Sequence, residues 1–284
     1  MKIALVTPLR NEINNIDKLF DAISNQSYSI FSWVILENGS TDGSIDKLEN
    51  MVCPHNVVNL KVFNLTESSI NYELGSNYAR INNYGFTFLK NQNYYDELDF
   101  IGILDSDIFL EKDYYTKLIS AFSFDLKLGI SSGIICNLNG EIEKTGNNWV
   151  RGGCRLWRKS CFDQAGYIIG PSADSLSTAK AICENWKVYP VVSAIAYSRP
   201  VGVRVNYRYY GEASYYRGCN PIYITLKCIY QLISFKFSAS LGLFIGFWSS
   251  LFANKDKVLD KKVLLYYRFY PLSRIYISFK NRKN

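Results

Sequence analysis

A chain of 284 residues, 48% hydrophobic and 20% charged, can bury one large core with or without an appendage, which excludes disorder. Seven cysteines form no CxxC pair and His55 is the single histidine, so no disulfide framework is expected and no zinc site or histidine triad beyond what His55 can serve. The net charge of +7 is uneven: residues 221–284 hold 11 Lys/Arg against two Asp, a surplus of +9, while residues 1–220 hold 21 against 23.

Lys2–Thr7 reads as a short buried strand stopped by Pro8. Asn15–Asn25 reads as a helix, with Ile16, Leu19, Phe20 and Ile23 on one face. Phe31–Leu36 is a second apolar strand. Thr41–Met51 follows as a helix capped by Ser40 or Thr41. Further strands are expected at Leu60–Phe63, Phe100–Leu104 and Val191–Tyr197, and further helices at Asn77–Leu89 and Tyr114–Phe122. Strands alternating with helices predict an α/β fold with a mainly parallel sheet, which binds ligands at the carboxyl ends of its strands. Three such ends are polar: "TPLRNE" (7–12), "ENGSTDG" (37–43) and "DSD" (105–107). Neither GxGxxG nor GxxxxGK[ST] occurs, so the dinucleotide and P-loop fingerprints are excluded.

Asp105 and Asp107 are one residue apart, and in an extended segment they point to one side. Their repulsion is relieved by a divalent cation, and Mg²⁺ uses one or two carboxylates with phosphates and water completing its shell. The pair therefore points to a metal–diphosphate site; a solvated turn after the strand is the alternative reading.

Four segments in order carry a resemblance. They are "TPLRNE" (7–12), "LENGSTDGS" (36–44), "GSNYARINNYG" (75–85) and "LDSD" (104–107). Residues 3 to about 200 resemble the family 2 glycosyltransferases, inverting enzymes with the GT-A fold, a mainly parallel Rossmann-like sheet flanked by helices. The resemblance implies a nucleotide-sugar site of Thr7, Pro8, Arg10, Glu12, Glu37, Asn38, Arg80, Asp105, Ser106 and Gly153, with Mn²⁺ or Mg²⁺ held at Asp107. Glu37 can accept from a pyrimidine N3–H, because a carboxylate only accepts, and this favours a UDP-sugar. Glu37 and Asn38 stand where the family usually has two Asp.

"SADSLSTAKAICENWKV" (172–188) resembles the family's GEDxDLxxRLxxxGYKI element. Counting back from Lys187-Val188 sets Asp174 at the catalytic-base aspartate, with Ala173 in place of the usual Glu. A helix N-cap at Asp174 is the competing reading. "VRGGCRLWRK" (150–159) resembles the glycine-containing segment that lines the sugar and acceptor pocket, and Trp149 is a candidate for stacking on a sugar. Ser198-Arg199 replaces a metal-binding His often found in relatives, and Arg199 is a candidate to balance diphosphate charge.

Phe237–Asn254 is uncharged between Lys236 and Lys255. Leu241, Leu243, Phe244, Ile245, Phe247, Trp248, Leu251 and Phe252 share one broad helical face, with Ser238, Gly242, Gly246, Ser249 and Ser250 opposite. This pattern predicts a helix lying in a membrane interface, with a spanning helix and a helix packed on the body as alternatives. Residues 220–235 form a second apolar helix candidate. Two parts are expected: a catalytic domain over 1–220 and a basic, aromatic helical tail over 221–284 that meets an anionic membrane surface, with no nucleic-acid partner. With no export signal near Ile3–Val6, the expected place is the cytoplasmic face of a membrane. The expected reaction moves a sugar from a nucleotide-diphosphate donor to a glycan or lipid-linked acceptor. A polyprenyl-phosphate sugar synthase and a non-catalytic nucleotide-sugar-binding protein are the alternatives.

Overall fold

The structure, a computed structural model, describes residues 1–65, 76–137, 142, 150–198 and 206–269. The first half alternates strictly: β1 (Ile3–Leu9), α1 (Ile16–Ser24), β2 (Ile30–Glu37), α2 (Ser44–Glu49), β3 (Val57–Asn64), α3 (Ser76–Lys90) and β4 (Phe100–Ile103). Then come β5 (Ile108–Leu110), α4 (Tyr114–Phe124), β6 (Leu128–Ser132), β7 (Ile134–Asn137), β8 (Arg155–Arg158) and α5 (Lys159–Ala165). The chain continues through α6 (Ala173–Cys183), β9 (Lys187–Val188), β10 (Ile195–Ser198), α7 (Tyr207–Tyr216), α8 (Pro221–Ile233) and α9 (Phe237–Phe252).

Seven strands form the main sheet in the order β3-β2-β1-β4-β8-β6-β9, and β5-β10-β7 form a small second sheet. β1, β2, β3 and β4 run parallel, and β8 is antiparallel to both β4 and β6. Alternate residues feed two cores. Ile3 and Leu5 pack with α1 and α4 on one side, and Ala4 and Val6 pack with α3 and α5 on the other. Burial on both faces is why these strands read as continuous apolar runs.

β1 does not stop at Pro8 but continues to Leu9. Val6 O accepts from Leu104 N and Leu9 O from Asn38 N, so backbone groups alternate between the two neighbouring strands, and Pro8 faces the side where β4 has ended. The missing N–H therefore removes no ladder bond. α2 is shorter than expected, starting after Gly43 in a left-handed conformation (φ 87°). Neither Ser40 nor Thr41, the residues expected to cap it, holds that position, which falls to Gly43. Ser40 Oγ accepts from Asn11 N (2.9 Å), Thr41 N donates to Asn11 Oδ1 (2.8 Å), and Ser44 Oγ accepts from Glu12 N (3.1 Å). The β2–α2 loop is thus stitched to the β1–α1 loop.

In the C-terminal part α7 crosses α9 at backbone distance. A Cβ on Gly246 would lie 2.0 Å from Arg208 O, and one on Gly211 2.4 Å from Leu243 O. The small residues of α9 are therefore an interhelical contact, with Ser240, Gly246 and Ser250 buried. The expected apolar face divides: Leu243 and Phe247 are buried against α8, while Leu241, Phe244, Ile245 and Phe252 turn outward. Gly246→Val must part the helices, because the obstacle is backbone. The expected loss is about 1–3 kcal/mol in denaturant unfolding, whereas Leu241→Ala on the exposed face changes stability by less than about 0.5 kcal/mol. Val258 and Val263 pack on Leu176 and Ala179 of α6, and Tyr267 Oη donates to Ser175 O (2.8 Å). Residues 258–267 thus brace α6 from behind. No helix among the described residues is long and apolar enough to cross a membrane. All seven cysteines are free thiols.

Candidate active site

The carboxyl ends of β1, β2 and β4 open on one cleft of about 290 Å³, whose lining includes Pro8, Arg10, Glu12, Asn38, Asp105, Ser106 and Asp107. Seven of the residues expected at a nucleotide-sugar or metal site therefore meet in one place. Asp105 and Asp107 are not in an extended segment. They lie in a turn between β4 and β5, closed by Ile108 N donating to Asp105 O (3.1 Å). The turn still brings both carboxylates to the same cleft.

Three expected residues fall elsewhere. Thr7 is fully buried, and its Oγ1 accepts from Trp33 Nε1 (2.9 Å), so its side chain serves the core. Glu37 is buried, with Oε1 accepting from Ser40 N (2.5 Å), which shapes the loop carrying cleft residue Asn38. Arg80 is exposed on α3 and is not among the lining residues. The helix presents Asn77, Tyr78 and Ile81 to the cleft instead. Trp149 and Arg199 lie outside the described residues.

Tyr78 is a residue sequence reasoning passed over. Its hydroxyl donates to Asp105 Oδ1 at 2.6 Å, and its side chain lines both the first cleft and a second cavity of about 280 Å³ with Gly152, Arg155, Ser172, Asp174 and Tyr209. Burial, with Asp107 and Asp174 nearby, pushes the Asp105 carboxyl up to about 7, against the pull of the Tyr78 hydroxyl and Arg155. Asn77 Oδ1 is buried without a hydrogen-bond partner at the cleft wall.

Gly152 and Gly153 lie at the junction of these two spaces. Asp105 N donates to Gly153 O (2.7 Å), and a Cβ on Gly153 would lie 2.1 Å from Asp105 Oδ2. A Cβ on Gly152 would lie 1.9 Å from Asp174 Oδ2. Neighbouring Cα atoms are about 3.8 Å apart, so the pair seats two carboxylates from distant parts of the chain beside one short piece of backbone.

Asp174 is not the N-cap. Ser172 takes that position, and Asp174 falls in the first turn of α6, where amide dipoles favour a negative charge. Arg155 anchors it from below. This guanidinium is 1% exposed; it donates to Asp174 O (3.0 Å) and lies 3.8 Å from Asp174 Oδ1. Further bonds to Arg151 O (3.1 Å) and Val150 O (3.3 Å) satisfy the buried charge. Asp174 Oδ1 has no hydrogen-bond partner, and the side chain stays 34% exposed toward the second cavity. β10 sets Ser198 opposite Ile108, beside the Asp107 turn, and among the described residues no cluster of three His, Cys, Asp or Glu side chains suits a metal.

The profile of Glycosyl transferase family 2 matches residues 4–171, more than half of the chain. The chain belongs to glycosyltransferase family 2. Solved structures similar to it share the GT-A-like architecture. TarS of S. aureus is 13% identical with TM-score 0.52 over 90% of this chain and 44% of its own. This chain thus spans less than half of that protein. TarS 1–349 in complex with UDP-GlcNAc is 16% identical with TM-score 0.54, over 90% of this chain and 74% of the other. The mannosyltransferase PcManGT of Pyrobaculum calidifontis, in complex with GDP-Man and Mn²⁺, is 14% identical with TM-score 0.56, over 75% of this chain and 60% of its own. No curated protein matches. A glycosyltransferase of this family accounts for the sheet, the order of the motifs and the cleft at the strand ends.

Proposed function

We propose that this glycosyltransferase transfers a sugar from a nucleotide-diphosphate donor to a hydroxyl of a glycan or lipid-linked acceptor, with inversion at the anomeric carbon. The observation that carries this reading is the placement of Asp105 and Asp174 beside consecutive glycines, one at each of two adjoining cavities.

The donor occupies the cleft of Pro8, Arg10, Asn38, Asp105, Ser106 and Asp107. Arg10 complements phosphate charge there, and the buried Asn77 Oδ1 accepts from a ribose hydroxyl or a base N–H. Glu37 is turned to Ser40 N and away from the cleft, and the donor we favour is a UDP-sugar, the class of donor held by the similar TarS 1–349. The residues present also fit a divalent cation. Two carboxylates on one turn leave most of an octahedral shell to phosphate and water oxygens, as Mg²⁺ and Mn²⁺ require. Asp107 would hold such a cation and Asp105 would orient its surroundings; when bound, it would supply positive charge against the departing diphosphate.

The acceptor enters the cavity of Gly152, Arg155, Ser172, Asp174 and Tyr209. Asp174 takes the proton of its hydroxyl. The oxygen then attacks the anomeric carbon on the face opposite the diphosphate, the C–O bond to the donor phosphate breaks, and the configuration inverts.

Calorimetric titration of UDP, GDP and dTDP, each with and without Mn²⁺, tests the donor side. The expected result is one nucleotide that binds only with metal, weakened at least about tenfold in Asp107→Ala. Metal-independent binding, or no binding of any of the three with metal, would sink the reading.

A further inference from the structure

We propose that the outer face of the α8–α9 hairpin docks on an anionic lipid surface. The proposal does not rest on the donor chemistry.

Exposed large apolar side chains elsewhere in the molecule are scattered, but on this hairpin they are continuous. On α8, Ile222, Leu226 and Ile233 are 71%, 59% and 72% exposed, at spacings that keep them on one face. On α9, Phe237, Leu241 and Phe244 continue the surface past the turn, and rings stack along it from Phe244 to Trp248 to Phe252 with centroids 5.9 and 5.8 Å apart. Among the described residues nothing covers this face, because the helices pack through the opposite one. The small residues of α9 lie on α7, and Ile224 and Cys228 of α8 join Leu243 and Phe247 in a closed core. An apolar patch of this kind on a folded chain marks an interaction surface.

The charge around the patch selects the occupant. Residues 221–252 contain no Asp or Glu and expose Lys227 and Lys236, and just beyond them Lys255, which lies 3.8 Å from Glu212, and Lys257 flank the exposed Asp256, so the surface keeps a positive balance. A second copy would bring the same cations face to face. Anionic headgroups complement them while the apolar side chains enter the acyl boundary, and the lysine stems reach outward to the phosphates. Neither helix is long enough to span, so the hairpin lies in the interface plane. α7 links this face to the acceptor cavity, since Tyr209 lines that cavity while Gly211 contacts α9.

The test is co-sedimentation of the full chain with phosphatidylcholine vesicles, with and without phosphatidylglycerol. The probe variant is the triple Phe237→Ser, Leu241→Ser, Phe244→Ser, all exposed positions, with an unchanged melting midpoint as the folding control. The expected result is sedimentation with phosphatidylglycerol vesicles that weakens in high salt and on plain phosphatidylcholine, and drops about tenfold or more in the triple variant. Three results would each overturn the proposal. One is a wild-type chain that stays in the supernatant with both vesicles. The second is a triple variant that sediments like wild type, which would assign binding to the basic residues of 270–284 alone. The third is a wild-type dimer in solution that the triple variant dissolves without any vesicle binding.

Discussion

Asp174→Asn is expected to lower the transfer rate by about a hundred- to ten-thousand-fold, the range that a positioned general base supplies. The fold and donor affinity should persist. Asparagine keeps the shape of the side chain. Arg155 keeps its bonds to Asp174 O, Arg151 O and Val150 O, so no buried cation is stranded, which is the usual reason that removing one partner of a buried pair unfolds a protein. The carboxylate is also 3.8 Å from the nearest guanidinium nitrogen, too far for a strong hydrogen bond. What is lost is the negative charge of a side chain 34% exposed toward the cavity, and no hydrogen bond goes with it. Donor titration by calorimetry and transfer assayed with excess donor separate the two properties. Near-normal transfer by Asp174→Asn would mean an acceptor that arrives already ionised, such as a lipid phosphate, for which no base is needed.

The parallel half of the sheet was legible because each central strand is buried on both faces and therefore reads as an apolar run. β1 and β4 carry no polar residue before their carboxyl ends, and β2 carries only the small buried Ser32. α7 was not legible. Its "YRYYGEASYY" buries Gly211, Ala213, Ser214 and Tyr215, a contact made by absent side chains, which a hydrophobic period does not register. The same cause hid the partner of α9, whose Gly242 and Gly246 meet α7 and whose Leu243 and Phe247, read on the outward apolar face, are buried against α8. At the site, the strand-end rule located the cleft, yet it could not tell which polar groups face a ligand and which hold the loops. Thr7, Glu37, Ser40 and Ser44 all belong to the second kind, through bonds that join segments 26–32 residues apart or close a loop. Tyr78 and Arg155 went unrecognised for a related reason. Each acts by holding an aspartate from another segment, 27 and 19 residues away, and nothing local in the sequence announces such a partner.

Gly152→Ala and Gly153→Ala should separate the two halves of the site, although the substitutions are adjacent and chemically identical. The Cβ of Gly153→Ala would meet Asp105 Oδ2 at 2.1 Å and Ile108 Cδ1 at 2.8 Å. Asp105 has little room to yield, because Tyr78 Oη holds Oδ1 and its own N–H is tied to Gly153 O. The expected outcome is a displaced turn at Asp105–Asp107, donor affinity at least about tenfold weaker, and a stability loss of about 1–3 kcal/mol from overpacking. The Cβ of Gly152→Ala would instead meet Asp174 Oδ2 at 1.9 Å. That carboxylate is the free end of a partly exposed side chain, so it can rotate away with little loss of stability. Its new position no longer serves the acceptor, and a misplacement of about 1 Å lowers a rate on the order of a hundredfold. Gly152→Ala should therefore lower kcat with metal-dependent donor binding unchanged, and Gly153→Ala should lose donor binding first. If both variants lost donor affinity equally, Asp174 would belong to the donor cleft, and the assignment of the second cavity to the acceptor would fall.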